Sequence, residues 1–197
     1  MYQAIKDPYC YKGTTVLRNR LGIRELEALE AFEAEATAQR FAEPLPLGRF
    51  GVAHYRAVHK HIFGDVFPWA GRFRTVRIAK AGSMFCYPEH INSEMMRVFG
   101  NLKAKDWLRG LSQIDFAREA AHFLAELNAI HPFRDGNGRT QLAFVTLLAF
   151  AAGYELDFER IEPESFLTAM IESFQGSEES LMLAINNTLG IYKNASS

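Results

Sequence analysis

Apolar residues recur at helical spacing along most of this 197-residue chain. From Arg24 to about Glu43 the sequence is rich in Glu, Ala and Leu, with Ile23, Leu26, Leu29 and Phe32 three apart. That pattern predicts an amphipathic helix, ended by Pro44 and Pro46. A second helix is predicted over Phe50 to Phe63, with Val52, Tyr55, Val58, His59 and Ile62 along one side, before Gly64 and Asp65 open a turn. Helical spacing returns from Ile91 to about Ala104 and again from Ser112 to Ile130. The latter stretch opens with Ser112 three residues before Asp115, a capping-box spacing that satisfies free backbone N–H groups. Ile114, Ala117, Ala121, Leu124 and Asn128 line one face, and Phe116, Ala120, Phe123 and Leu127 the face beside it. A helix apolar around so much of its girth is expected to be central and buried. A further apolar helix follows from Arg139 to Ala152, stopped by Gly153, and two more are predicted over Glu162 to Phe174 and Glu178 to Leu189.

One stretch reads otherwise. From Arg72 to Cys86, Phe73, Thr75 or Val76, and Ile78 alternate with arginines, and Ala81-Gly82-Ser83 stands where a hairpin would reverse. The expected fold is mostly α, a helical bundle around a buried central helix with one small β-hairpin. A single domain over 1–197 is expected, with an N-terminal helical segment to about 47 and a core from about 50 to 190. The closing AINNTLGIYKNASS is expected to fray.

Composition narrows the function classes. Lys plus Arg number 22 against 23 Asp plus Glu, a balance that gives no field for holding a nucleic-acid backbone. Cys10 and Cys86 form neither a metal spacing nor a disulfide framework, so a reducing compartment is expected. The N-terminus has no signal-peptide core, and no run reaches the roughly 18 apolar residues of a membrane span, so a cytoplasmic protein without membrane contact is expected. His54, His59 and His61 crowd one helix, but their spacing does not turn them to one face as metal ligands.

The chemistry concentrates between the two most apolar helices, in HPFRDGNGRT at 131–140. Gly136 and Gly138 permit backbone conformations closed to other residues and let a ligand approach the main chain. Asn137 tolerates the same region. As the loop enters the next helix its N–H groups converge at a helix N-terminus, which favours an anion. Arg139 adds a fork of charged donors suited to phosphate oxygens. Asp135 is a hard oxygen ligand able to hold Mg²⁺ against those phosphates. His131 has a reference pKa near neutrality and can accept a proton from a nucleophile. Singly, each residue reads as part of a plain helix–helix turn, with His131 as a cap and Pro132 fixing the entry angle. The ordered set H-P-F-x-D-G-N-G-R points to a phosphate site with a base beside it.

HPFRDGNGR resembles the signature of Fic-domain (Fic/Doc family) proteins, His-x-Phe-x-Asp/Glu-Gly-Asn-Gly-Arg, and Leu127-Asn128-Ala129-Ile130 is similar to the family's lead-in. Asp65-Val66-Phe67-Pro68-Trp69-Ala70-Gly71 with the following hairpin is similar to the segment leading into the family's target-docking flap. The resemblance implies a Fic fold and transfer of AMP from ATP to a Ser, Thr or Tyr hydroxyl of a target protein. Carried over, His131 deprotonates the hydroxyl, Phe133 anchors the loop in the core and Asp135 coordinates Mg²⁺. Gly136, Asn137, Gly138 and Arg139 bind the ATP phosphates. Gly138 stands where related Doc kinases carry Lys, which favours nucleotidyl over phosphoryl transfer. Val76, Ile78 and Lys80 are expected at the flap edge, where an extended target segment pairs.

Two departures bear on function. The family pattern continues R-x-x-R, but Leu142 takes the second arginine's place, so the γ-phosphate contact which that residue makes in the resembled mechanism is missing. The family's inhibitory Ser/Thr-x-x-x-Glu-Gly/Asn has only near matches, Thr14 to Asn19 with Arg18 at the Glu position, and Thr168 to Ser173 with Ser at the last. Inhibition is therefore expected from a separate small antitoxin. The resemblance suggests DNA gyrase or topoisomerase IV as target of a resident bacterial toxin, or a host GTPase if the chain is the Fic portion of a translocated effector. The alternatives are a catalytically impaired Fic-like binding module and an enzyme that uses another nucleotide.

Overall fold

The computed structural model describes residues 7–80, 83–157 and 160–191, and the apolar patterns translate into helices there with small shifts at the ends. In chain order these are α1 (Leu26–Phe41), α2 (Val52–Phe63), α3 (Ile91–Ala104), α4 (Gln113–Ile130), α5 (Asn137–Ala151), α6 (Pro163–Phe174) and α7 (Glu179–Thr188). The α4 helix is the hub, packing against α3, α5, α6 and α7. Its Ala117, Ala120, Ala121 and Ala125 are buried beside Phe116, Phe123, Leu124 and Leu127, so small residues let neighbouring helices close on the large ones. It starts as its sequence predicts: Ser112 Oγ accepts the Asp115 N–H at 3.3 Å.

The α1 helix is less embedded. Leu29 is buried and Phe32 packs partly on the core, but Leu26, on the same predicted stripe, is exposed. In contrast, α2 buries His54, Tyr55, Val58, His59, Ile62 and Phe63, and packs on α1, α3 and α5.

The β structure differs from expectation in two ways. The predicted hairpin contracts to β1 (Ala79–Lys80) and β2 (Ser83–Met84), with Ala79 opposite Met84 and Lys80 opposite Ser83. Of its expected reversal, Ala81 and Gly82 lie outside the described residues. A second antiparallel pair joins β3 (Tyr154–Leu156) to β4 (Leu189–Ile191). Expecting a single β element was thus wrong. Three-residue strands are too short for alternation to be legible, and β4 pairs residues expected to belong to a fraying tail.

The limb from Arg72 to Ile78 stays out of the ladder for a definite reason. Arg74 is only 2% exposed and its guanidinium binds main-chain carbonyls. Nε donates to His131 O at 2.8 Å, Nη1 to Val76 O at 2.6 Å, and Nη2 to Cys86 O at 2.6 Å and Ile130 O at 3.1 Å. The Arg74 N–H adds a bond to Pro132 O at 2.9 Å, and the Cys86 N–H one to Ala129 O at 3.1 Å. Both limbs of the hairpin are thereby fastened to the C-terminal end of α4, where carbonyls lack helical partners and the dipole favours a cation.

Replacing Arg74 with Met keeps much of the volume and removes the four side-chain bonds. The expected outcome is a loss of about 3 kcal/mol or more in denaturant unfolding, since several buried carbonyls lose their partner at once.

Candidate active site

The loop joining α4 to α5 is bracketed by two left-handed residues. His131 ends α4 at φ 48°, ψ 63°, its N–H bonded to Leu127 O at 2.8 Å. Gly136 precedes α5 at φ 76°, ψ 9°. A β-carbon at Gly136 would also lie 2.4 Å from the Phe63 ring, so both backbone and space require glycine there. Gly138 is different: it sits in the first turn of α5, in helical conformation, and an added β-carbon would meet nothing within 4 Å. The freedom expected of both glycines is used by one. At Gly138 the missing side chain bares the helix start to whatever enters the cleft.

The loop is braced from the core. Phe133 is fully buried, its ring centroid 3.7 Å from His59 and 5.5 Å from Tyr55. Asn137 clasps it: its Oδ1 accepts the Phe133 N–H and its Nδ2 donates to the Phe133 carbonyl, both at 2.9 Å. The Asn137 side chain is therefore an internal strut, and its main-chain N–H is what it can offer an anion. His59 is the brace that sequence reading passed over. Its Nδ1 accepts the Gly71 N–H at 2.9 Å, which leaves Nε2 to donate to Asp135 O at 3.0 Å. Burial depresses this imidazole to about 4, so it is neutral near pH 7. A buried histidine in a helix pattern carries no sequence sign of the loop it will meet.

Around this frame lies a cleft of about 700 Å³, lined by His131, Arg134, Asp135, Gly136, Asn137, Gly138 and Arg139 on the loop side. The His131 ring stacks on Phe85 at 4.0 Å and 17° between planes, which fixes its orientation beside the hairpin. The first N–H groups of α5, from Asn137 to Arg139, have no partner four residues back in the helix. Asp135 accepts the Gly136 N–H on Oδ1 at 2.6 Å, which leaves Oδ2 as the oxygen free of that bond. A carboxylate beside bare helix-start donors suits Mg²⁺, whose shell takes one or two carboxylates and is completed by water and phosphate. Among the described residues no cluster of three His, Cys, Asp or Glu exists.

Arg139 faces this cleft with its guanidinium carbon 4.6 Å above the Phe63 ring, and Nη2 pairs with Glu33 Oε1 of α1. Burial raises the Glu33 carboxyl above its ordinary value, with Arg139 opposing the rise. Leu142 lines the cleft one turn further into α5, so beside Arg139 the described cation on that wall is Arg134, itself paired with Asp7 at 2.9 Å. The near-match residue Glu172 lies on α6 and does not line the cleft.

The expected flap positions take part in bonds of the hairpin and its anchor. The Val76 carbonyl is held by Arg74, and the Ile78 carbonyl accepts the Phe85 N–H at 3.4 Å within the hairpin. Lys80 pairs with Ser83. Within β1, whose main-chain groups alternate sides, Ala79 turns its groups away from β2, between the Ile78 and Lys80 positions expected at the edge. Ile78 and Ala79 both line the cleft.

Two predictions follow from these contacts. As pH falls below about 6.5 the unfolded chain protonates at His59 while the folded one resists until about 4. Stability therefore drops across that window, by about 3 kcal/mol in all, and urea titrations from pH 7 to 4 should show a slope that His59→Gln lacks. Gly138→Ala should leave the melting temperature unchanged or slightly raised, whereas Gly136→Ala should lower it. Calorimetry of both variants measures this.

Comparison with known proteins agrees with the geometry. The Fic/DOC family description matches residues 49–149. A protein of Sinorhizobium fredii named probable protein adenylyltransferase y4lH is 50% identical over 95% of this chain and 98% of its own length. The Escherichia coli protein named probable protein adenylyltransferase Fic is 36% identical over 93% of this chain and 92% of its own. Among solved structures, the BepC effector protein of Bartonella tribocorum with bound AMPPNP superposes with a TM-score of 0.88 at 29% identity, over 94% of this chain and 98% of that one. An N-terminal Fic domain from Bartonella quintana with bound ADP gives 0.83 at 33% identity, over 94% of this chain and 96% of that one. No described helix is long and apolar enough to cross a membrane. The helical fold, the loop and these relatives, several of them named protein adenylyltransferases, place the chain in the Fic/DOC family.

Proposed function

We propose that this chain transfers AMP from ATP to a Ser, Thr or Tyr hydroxyl of a target protein. The observation that carries the reading is one cleft holding His131, Asp135, the bare N–H groups that start α5, and Arg139. Relatives named protein adenylyltransferases and the nucleotides bound in similar structures support it.

A target segment pairs with the outward edge of the hairpin, at Ala79, which brings its hydroxyl to His131. His131 takes the hydroxyl proton, and the oxygen attacks the α-phosphorus. The bond from that phosphorus to the bridging oxygen breaks, and pyrophosphate leaves. The α5 start and Arg139 hold the phosphates in place and stabilise their developing charge. Mg²⁺, when bound at Asp135, supplies further charge neutralisation. Leu142 gives the γ-phosphate an apolar neighbour, and Arg134 is the second cation within the cleft.

The chain fits the toxin of a toxin–antitoxin pair, restrained by a separate small chain, with gyrase or topoisomerase IV as target. The translocated-effector reading, with a host GTPase as target, draws on the Bartonella neighbours.

The test is label transfer in a bacterial lysate. Relative to lysate alone, wild type with Mg²⁺ and α-labelled ATP should label protein, γ-labelled ATP should add no label, and His131→Ala should reduce the added labelling at least about a hundredfold. Added label from the γ position, or equal labelling by His131→Ala, overturns the reading.

A further inference from the structure

Arg139 stands where two cavities meet. It lines the large cleft on one side and, on the other, a smaller cavity of about 350 Å³ between the loop and the N-terminal segment. Two contacts hold its guanidinium: the Phe63 ring beneath it, and Glu33 at Nη2. Phe63 is a passive floor, which fixes the distance of the group but not its rotation over the ring. Only the carboxylate selects a rotation.

The two partners differ in exposure. The Glu33 side chain is 14% exposed and that of Arg139 is 40%, so the carboxylate is seated against the protein while the guanidinium still faces solvent. Glu33 lines the smaller cavity and not the cleft, so it binds Arg139 from behind. One of the guanidinium's five N–H groups is enough for that bond, which leaves the fork free for an anion. A carboxylate placed in the cleft itself would compete with phosphate. One placed behind the arginine turns it toward phosphate.

We infer that Glu33 is a positioning residue for nucleotide binding, holding Arg139 from α1 so that its remaining donors face the cleft. It lies outside residues 49–149, the span matched by the family description, so the N-terminal helix completes a site whose loop residues, His131 to Arg139, lie within that span. The inference rests on the nucleotide reading of the cleft given above.

The test measures Mg²⁺–ATP affinity by calorimetry for wild type, Glu33→Ala, Glu33→Gln, Arg139→Ala and the Glu33→Ala/Arg139→Ala double variant, with a melting curve for each. Glu33→Ala should weaken ATP binding about tenfold, within the usual coupling of residues sharing one network. Glu33→Gln, whose amide oxygen still accepts the Nη2 proton, should retain most of the affinity. In the Arg139→Ala background, Glu33→Ala should add nothing. An unchanged affinity in Glu33→Ala overturns the inference, as does a tighter one, which would make Glu33 a competitor of phosphate. An equal loss in both backgrounds also overturns it, because the effect would then belong to the fold. Should Glu33→Ala fail to fold, Glu33→Gln against Glu33→Asp decides, since the shorter acid cannot reach and should bind ATP more weakly than the amide. Failure of wild type to bind ATP at all sinks the nucleotide reading first, and is told apart by that single titration.

Discussion

The buried Arg74 guanidinium is the interaction on which the geometry of this molecule depends. Four carbonyls converge on it, from Val76, Cys86, Ile130 and His131, so one side chain ties the hairpin's two limbs to the end of the central helix. Its burial is tolerable because each of its three nitrogens meets a carbonyl oxygen, although desolvation holds its pKa below the ordinary arginine value. His131 is the residue at that junction, so the candidate base and the flap that would present a target share one anchor. Without it, the hairpin would be tethered chiefly by the main-chain bonds from residue 74 to Pro132 and from Cys86 to Ala129, and by the stacking of Phe85 on His131.

Around that anchor the loop is held by parts of the chain distant in sequence. His59 comes from α2, 76 residues before its partner Asp135, and Glu33 comes from α1, 106 residues before Arg139. The loop is a crossing point for struts from both sides, and its shape belongs to the fold as a whole.

That arrangement explains what the sequence made legible. Helices announced themselves through periodicity, and α4 was recognisable as central because its apolar residues cover most of its surface. The loop was legible because its chemistry is contiguous: nine residues in a row carry base, acid, glycines and arginine. Long-range partners were not. Arg74 looked like one of several alternating arginines, and His59 like a partly buried helix histidine, because nothing local marks a side chain whose partners arrive from elsewhere. The β3–β4 pair escaped for a related reason, since it joins two triplets more than thirty residues apart. The hairpin's register was not legible either, as it is set by which carbonyl meets which N–H and alternation alone cannot fix that.

The clasp of Asn137 on Phe133 has a kinetic consequence. Two hydrogen bonds to the N–H and carbonyl of a single residue hold the two ends of the loop together whether or not anything is bound. Phe133 is locked in turn among aromatic rings. An arriving anion meets donors already in position, so its capture need not wait for the loop to order.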